Sequence, residues 1–301
     1  MSRRAWVLFA LMGVMWGIPY LLIKVAVGSL SPATLVMLRT AAGAAMLMPV
    51  ALARGEVRPL LARWRWVLLY TLVELGFTWF LLSDAETRLS SSLSGLLVAT
   101  VPLVGAFIGI ASRAADRMRL RQVAGLAVGL AGVAALVGLD ISTLDPRALG
   151  EIALVVVGYA VGPLIVSRRL GDAPALGVVA VSLVLTALAW APAGILQRPA
   201  SIPGPGVIAA VAVLAVVCTA AAFLVFFALI AEAGPVRATI ITYVNPAVAL
   251  ALGILVLHEP LTTGAVVGLA LIVAGSYLST RPAARPLSAR TDAAEPAAAP
   301  S

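Results

Sequence analysis

Two charged residues lie inside long apolar runs of this sequence, and they are its first candidates for chemistry. Glu74 falls within 64–82 and Arg39 within 32–52. An ionisable side chain at the centre of a membrane helix costs at least ~2.5–3.5 kcal/mol, so it faces a cavity or a partner. A carboxylate held there can exchange between charged and neutral forms, which makes Glu74 a candidate proton site. Arg39 lies seven residues into its run, roughly 10 Å deep at 1.5 Å per residue. Glu74 lies at a comparable depth. An Arg39–Glu74 pair and a transport role for Glu74 are both open, and they are compatible.

Four prolines, Pro19, Pro102, Pro163 and Pro246, also fall inside apolar runs. Each removes a helix hydrogen bond, kinks the helix and frees a carbonyl that can face a cavity. Hinges and static packing kinks are the two readings. Trp16 and Tyr20 flank Pro19, and Tyr243 and Asn245 precede Pro246; Trp79 and Tyr159 are counted with them as cavity candidates. Such aromatic and hydrogen-bonding surface suits an amphipathic or aromatic organic solute. Interhelical hydrogen bonding is the alternative. Trp64, Trp66 and Tyr277, at run ends, read as an interfacial belt. Lys24 and Arg168 end their runs and are expected to snorkel to opposite interfaces, with anion selection there as the alternative.

The chain offers little for catalysis. It has one cysteine, Cys218, in an apolar run and read as a small buried hydrophobe. No disulfide framework or cysteine metal site follows. One histidine, His258, stands in HEPL beside Glu259, too isolated to read as a metal ligand. Glu259 is expected to complement the dipole of the helix that follows it. No glycine-rich phosphate loop is present, so ATP-driven transport is not supported and no cofactor is expected.

These residues are positioned by lipid-facing helices. Of 301 residues 62% are apolar and 11% charged, with a mean hydropathy of +1.07. A soluble domain carries far more polar surface. Lipid leaves backbone groups without partners, so the spans are helices or a closed barrel, and continuous apolar runs exclude the barrel. Ten spans of roughly 20 residues are expected. The first five are Ala5–Val27, Pro32–Leu52, Trp64–Leu82, Leu93–Ala111 and Leu120–Leu139. The second five are Ala148–Val166, Ala175–Leu196, Val207–Ile230, Ala238–Leu257 and Leu261–Leu278. The sixth is interrupted by Gly158, Gly162 and Pro163. The first run is too long for a signal sequence and is expected to be retained. The tail from Thr280 to Ser301 is expected to be disordered.

Sixteen basic residues fall on the same side of the membrane as the N-terminus, including Arg54, Arg58, Arg63, Arg65, Arg113, Arg117, Arg119 and Arg121. Only Lys24, Arg88, Arg147 and Arg198 fall on the other. That asymmetry places both termini in the cytoplasm and reads the +8 net charge as a topology signal rather than nucleic-acid binding.

The halves repeat. Pro19 and Lys24 match Pro163 and Arg168, and Pro102 matches Pro246, each 144 residues on; Gly125 and Gly132 match Gly268 and Gly275, 143 on; Asp116 falls opposite Glu259. Five spans per half force the second copy in from the opposite face. Such inverted repeats enclose a midplane site in many secondary transporters and can rock between two openings.

WGIPYLLIK at Trp16–Lys24, ATVPLVGAFIG, NPAVALALGILVLHEPL, RQVAGLAVGLAG and GAVVGLALIVAG resemble the EamA type of the drug/metabolite transporter superfamily, over essentially the whole chain before the tail. The resemblance implies an all-α membrane protein of ten helices in two EamA repeats (1–139 and 140–279) around a central cavity. It implies export of amino acids, metabolites or drugs. The fifth and tenth helices would lie outside the cavity and support a homodimer. HEPL fits the family's acidic motif, and SRAADRMRLRQ departs from it at Asp116. The expected partners are a small organic solute and the bilayer of the inner membrane, not nucleic acid. A membrane enzyme acting on lipid-linked substrates, or a scaffold, is the alternative; the first lacks a nucleophile or metal cluster, and buried Glu74 argues against the second.

Overall fold

The computed structural model describes residues 2–111, 120–138, 145–234 and 239–280. Among these, all regular structure is helical. The first half holds α1 (Arg3–Gly17), α2 (Pro19–Val27), α3 (Pro32–Ala53), α4 (Trp64–Tyr70), a π-turn (Thr71–Gly76), α5 (Phe77–Ala85), α6 (Ser91–Val98), α7 (Val101–Ala111) and α8 (Leu120–Gly138). The second half holds α9 (Pro146–Arg169), α10 (Ala175–Leu196), α11 (Pro205–Ala215), a π-turn (Val216–Ala221), α12 (Ala222–Ala233), a 3-10 turn (Thr239–Tyr243), α13 (Asn245–Leu257) and α14 (Thr263–Thr280).

Among the described residues eight stretches are long and apolar enough to cross a membrane, and two shorter apolar helices, Ile241–Leu257 and Thr263–Leu278, stand where the ninth and tenth spans are expected. Leu130, Leu154, Leu188 and Leu255 are exposed on their outer faces, as lipid-facing side chains are. The expected tail beyond Thr280, and Asp116, lie outside the described residues.

The starts of these helices follow from their first residues. The hydroxyls of Ser2, Ser31 and Ser90 accept from the backbone N–H of Ala5, Thr34 and Leu93, and Asp145 accepts from Arg147 and Ala148. Each satisfies a donor that the first helical turn leaves open. Proline follows at Pro32, Pro146 and Pro205, where its missing N–H costs nothing.

Three of the four internal prolines mark breaks. The first segment is interrupted at Ile18, before Pro19. Pro102 lies in the first turn of α7, after the break at Ala99–Thr100, and Pro246 lies in the first turn of α13. The breaks before Pro19 and Pro246 meet: a Cβ at Gly17 would touch Asn245 O at 3.1 Å, and one at Gly13 would touch Val244 at 2.9 Å. The sixth segment departs from the expectation. α9 runs unbroken through Gly158, Gly162 and Pro163, with Pro163 exposed on its outer surface. The two glycines serve packing instead.

The packing exchanges when the halves are exchanged. α8 lies along α14, α3 along α10 and α6 along α13; α5 packs on α9 as α12 and α11 pack on α1 and α2. Within this set, swapping each segment for its counterpart returns the same neighbours. The two π-turns obey the same relation, since Val216 follows Thr71 and Ala221 follows Gly76 by 145 residues. Between α8 and α14 the repeated glycines let the helices approach closely: a Cβ at Gly132 would meet Ile272 N at 2.7 Å and Gly268 O at 2.9 Å, and one at Gly275 would meet Gly125 O at 2.6 Å.

Candidate functional site

Glu74 sits in the first π-turn, a local insertion often found where helices carry function. The turn points its carboxylate at α9, where Gly162 leaves the space: a Cβ there would overlap Glu74 Oε2, and the carboxyl carbon would lie 2.8 Å away. Gly158, one turn earlier, leaves room for Val73 O and for the Thr78 hydroxyl, which bonds that same carbonyl. Glu74 Oε2 is buried with no hydrogen-bond partner.

Arg39 does not pair with Glu74. Its Nε donates to Thr219 Oγ1 at 3.0 Å, and its guanidinium carbon lies 3.8 Å from the centre of the Trp79 ring, within cation–π reach. Thr219, in the second π-turn, donates in turn to Leu214 O at 2.8 Å. Depth along the bundle axis is similar for the two charges, but Arg39 reaches Thr219 in the second π-turn and Glu74 reaches Gly162 in α9. Among the described residues no carboxylate oxygen lies within 4 Å of Arg39.

The other candidates divide into groups. Tyr20, Tyr159, Cys218 and Glu86 are the titratable groups whose charges reach Arg39. Tyr20 and Trp79 are buried, Tyr159 packs into both the Tyr20 and the Trp79 clusters, and Cys218 is 1% exposed as expected. Trp16 belongs elsewhere, 4.8 Å from Phe226 and 6.1 Å from Phe223 between α1 and α12. Asn245 and Pro246 lie at the double break described above, with Asn245 Oδ1 buried and unpartnered. Tyr243 lines a hollow of about 470 Å³ with Tyr277, Leu269 and alanines of α13 and α14. That hollow, and one of about 410 Å³ between α3 and α10, are apolar grooves on the outer surface. Pro102 is half-buried and Pro163 faces outward.

At the end of the bundle opposite Ser2, Arg88 and Arg147, which the sequence counts only toward topology, form a charged layer with three acids. Arg88 pairs with Asp84 (2.8 Å), Asp145 (3.5 Å) and Glu151, and Arg147 with Asp84 (3.1 Å) and Glu151 (2.9 Å). This ties the end of α5 to the start of α9. Beside it Glu86 is wholly buried, and neither of its carboxylate oxygens has a hydrogen-bond partner. Burial pushes the Glu86 carboxyl well above the usual carboxylate range; Lys24 pulls it back, Glu259 adds to the rise and Arg39 opposes it. The sequence signal was the acidic spacing in SDAETR at 83–88, which reads as a solvated turn until the fold encloses it.

Two expectations at this end are corrected. Lys24 does not snorkel: its Nζ donates to Glu86 O at 2.7 Å and Leu89 O at 2.8 Å. Glu259 does not serve the helix after it. His258 takes the left-handed position (φ 56°) that ends α13, and Glu259 N bonds back to Gly253 O at 3.0 Å. The carboxylate is thereby turned onto α6, accepting from Ser91 N at 2.7 Å and Ser92 N at 2.9 Å. Gly253 leaves the space it passes through. At the Ser2 end the corresponding contact is smaller, an exposed hydrogen bond from Ser2 Oγ to Glu232 at 2.5 Å.

With this geometry in hand, comparison places the chain. The sequence profile of the EamA-like transporter family matches residues 4–138 and again 148–281, once in each half. No curated protein matches. A solved structure described only as "Crystal structure of protein" is similar at 25% identity and a TM-score of 0.65, covering 93% of this chain and 98% of that one. Two matches that span nearly the whole chain, one per half of a helical membrane bundle, settle the assignment: the chain belongs to the EamA-like transporter family.

Proposed function

We propose that the chain is a secondary transporter that moves small organic solutes, such as amino acids, other metabolites or drugs, across the inner membrane by alternating access, in the direction of export. The observation that carries this reading is the exchange of packing partners between halves that each match one family unit. A bundle with that relation has two conformations of related energy, opening to opposite sides, as inverted repeats allow. The reading takes ten spans in two five-span units, 1–139 and 140–279. Its orientation rests on the basic residues, sixteen against four, which favour cytoplasmic termini.

The solute path runs between the halves, past Arg39, Trp79, Tyr20 and Tyr159. The breaks before Pro19 and Pro246 act as the flexible points where the first and ninth segments meet. The Asp84–Arg88–Asp145–Arg147–Glu151 layer closes the end opposite the termini, and Glu74 carries the coupling proton. A homodimer would form through α8 and α14.

The test is flux. The purified chain is reconstituted in liposomes, and labelled amino acids and cationic drugs are offered with and without an imposed pH gradient. Uptake above protein-free liposomes supports the reading. Chemical turnover of a lipid-linked substrate without uptake would replace it with an enzyme.

A further inference from the structure

We infer that Arg39 binds the acid group of the transported solute, and that this solute is a small organic anion carrying one carboxylate on an apolar or aromatic body. The inference rests on the transport reading and adds the substrate class.

A guanidinium stays charged under all ordinary conditions, so unlike a carboxylate it cannot shed its charge when buried. Arg39 is 6% exposed. A desolvated charge of that kind is costly unless an anion meets it. Among the described residues none does: no carboxylate oxygen lies within 4 Å, and Glu74 faces Gly162 instead. Glu86 is the acid whose charge reaches Arg39. Its own burial favours the neutral form, so it does not stand in as a permanent counter-ion.

The guanidinium is also held as a binding group is held. Trp79 supports its face at 3.8 Å, and Thr219 fixes Nε at 3.0 Å. Thr219 is fixed in turn by Leu214 O. With Nε committed, the Nη1–Nη2 edge of the fork is the geometry that takes a carboxylate through two parallel hydrogen bonds. The surroundings argue for one negative charge rather than two. Lys24, the cation that acts on Glu86 alongside Arg39, is spent on Glu86 O and Leu89 O, so a phosphate monoester would bring more charge than the site balances. Tyr20, Tyr159 and Trp79 supply the apolar and aromatic wall for the rest of the molecule.

The groups facing Arg39 are Tyr20 from α2, Tyr159 from α9, Cys218 and Thr219 from the second π-turn, Trp79 from α5 and Glu86 beyond it. Among the described residues only Glu86 competes as an anion. Its replacement by glutamine therefore leaves anion binding intact or strengthens it, while replacement of Arg39 removes it.

The experiment is calorimetric titration of the full-length purified protein in detergent with 3-phenylpropionate and with the uncharged 3-phenylpropionamide. The expected result is at least tenfold tighter binding of the acid by the wild type. Arg39→Gln reduces both to one weak level, Arg39→Lys keeps part of the difference, and Glu86→Gln keeps it all. The acid–amide comparison on the wild type needs no variant, so a misfolded Arg39→Gln protein does not shield the idea. Equal binding of acid and amide, no binding of the acid, or an Arg39→Gln affinity within twofold of wild type in a protein that melts normally would each overturn it. Acid binding without flux in liposomes would sink the transport reading and leave this site standing. Flux that treats acid and amide alike would do the reverse.

Discussion

Glu259, after the last helix but one, accepts hydrogen bonds from the backbone of Ser91 at 2.7 Å and Ser92 at 2.9 Å, 168 and 167 residues earlier. A carboxylate of the second half therefore caps, alongside Ser90, the N-terminus of a helix in the first. Three features combine to produce it: the left-handed turn at His258, the space left by Gly253 and the open amides at the start of α6. The contact fastens the halves at the end that carries the Arg88 layer, where α6 and α13 run side by side.

Replacing Glu259 by Ala is expected to destabilise the protein by roughly 1–2 kcal/mol, the usual worth of a helix cap, with charge assistance placing it toward the upper part of that range. Glu259→Gln keeps an acceptor but loses the charge, and should fall between. Thermal melting in detergent measures both. A melting temperature unchanged in Glu259→Ala would show that the cap is incidental.

Gly162 and Glu74 are expected to couple. A methyl at Gly162 occupies the space of the Glu74 carboxylate, and overpacking of this kind typically costs 1–3 kcal/mol. Gly162→Ala should destabilise the protein, and Glu74→Ala in the same chain should recover much of the loss. A double-mutant cycle with an interaction energy near zero would mean that α5 and α9 simply move apart.

How much of this was legible beforehand varies by residue. The apolar runs, the repeat and the glycines of α8 and α14 were readable because each is a pattern along the chain. The Arg39–Glu74 pair was drawn from depth alone. Sequence gives depth at 1.5 Å per residue but not the azimuth that sends Arg39 to Thr219, 180 positions away. Pro19 and Pro163 share a repeat position and a residue type, yet one marks a break and the other rides the outside of a continuous helix. Glu86 and Glu259 were hidden for a related reason. Charges beside turns read as solvated or as local caps, and only the assembled bundle buries one and sends the other across to α6.

Glu86 should leave a pH signature in stability. Its carboxyl in the fold titrates well above the ordinary value because burial disfavours the charge, whereas in the unfolded chain it titrates near about 4.3. Between those two values the folded state holds a proton that the unfolded state has released. Stability from this group is therefore present at low pH and is lost as pH rises toward the folded value. Melting temperature against pH should fall more steeply above about pH 4.3 in the wild type than in Glu86→Gln. Parallel curves would show that Glu86 is ionised throughout and compensated by Lys24.

Glu74 tests the coupling. It lies in the π-turn against α9, with one carboxylate oxygen buried and unpartnered, and Arg39 is engaged elsewhere, so among the described residues no ion pair fixes its charge state. The proposal therefore gives it the proton that exchanges during transport. Glutamine fits the same space beside Gly162 and cannot exchange a proton. Glu74→Gln should express and melt like the wild type, and solute flux in liposomes should lose its response to an imposed pH gradient while residual exchange continues. Flux that still follows the gradient in the variant would move the coupling to Glu86, whose two carboxylate oxygens are both buried and unpartnered. Flux indifferent to the gradient in both proteins would make the chain a facilitator and leave Glu74 as a packing partner of α9.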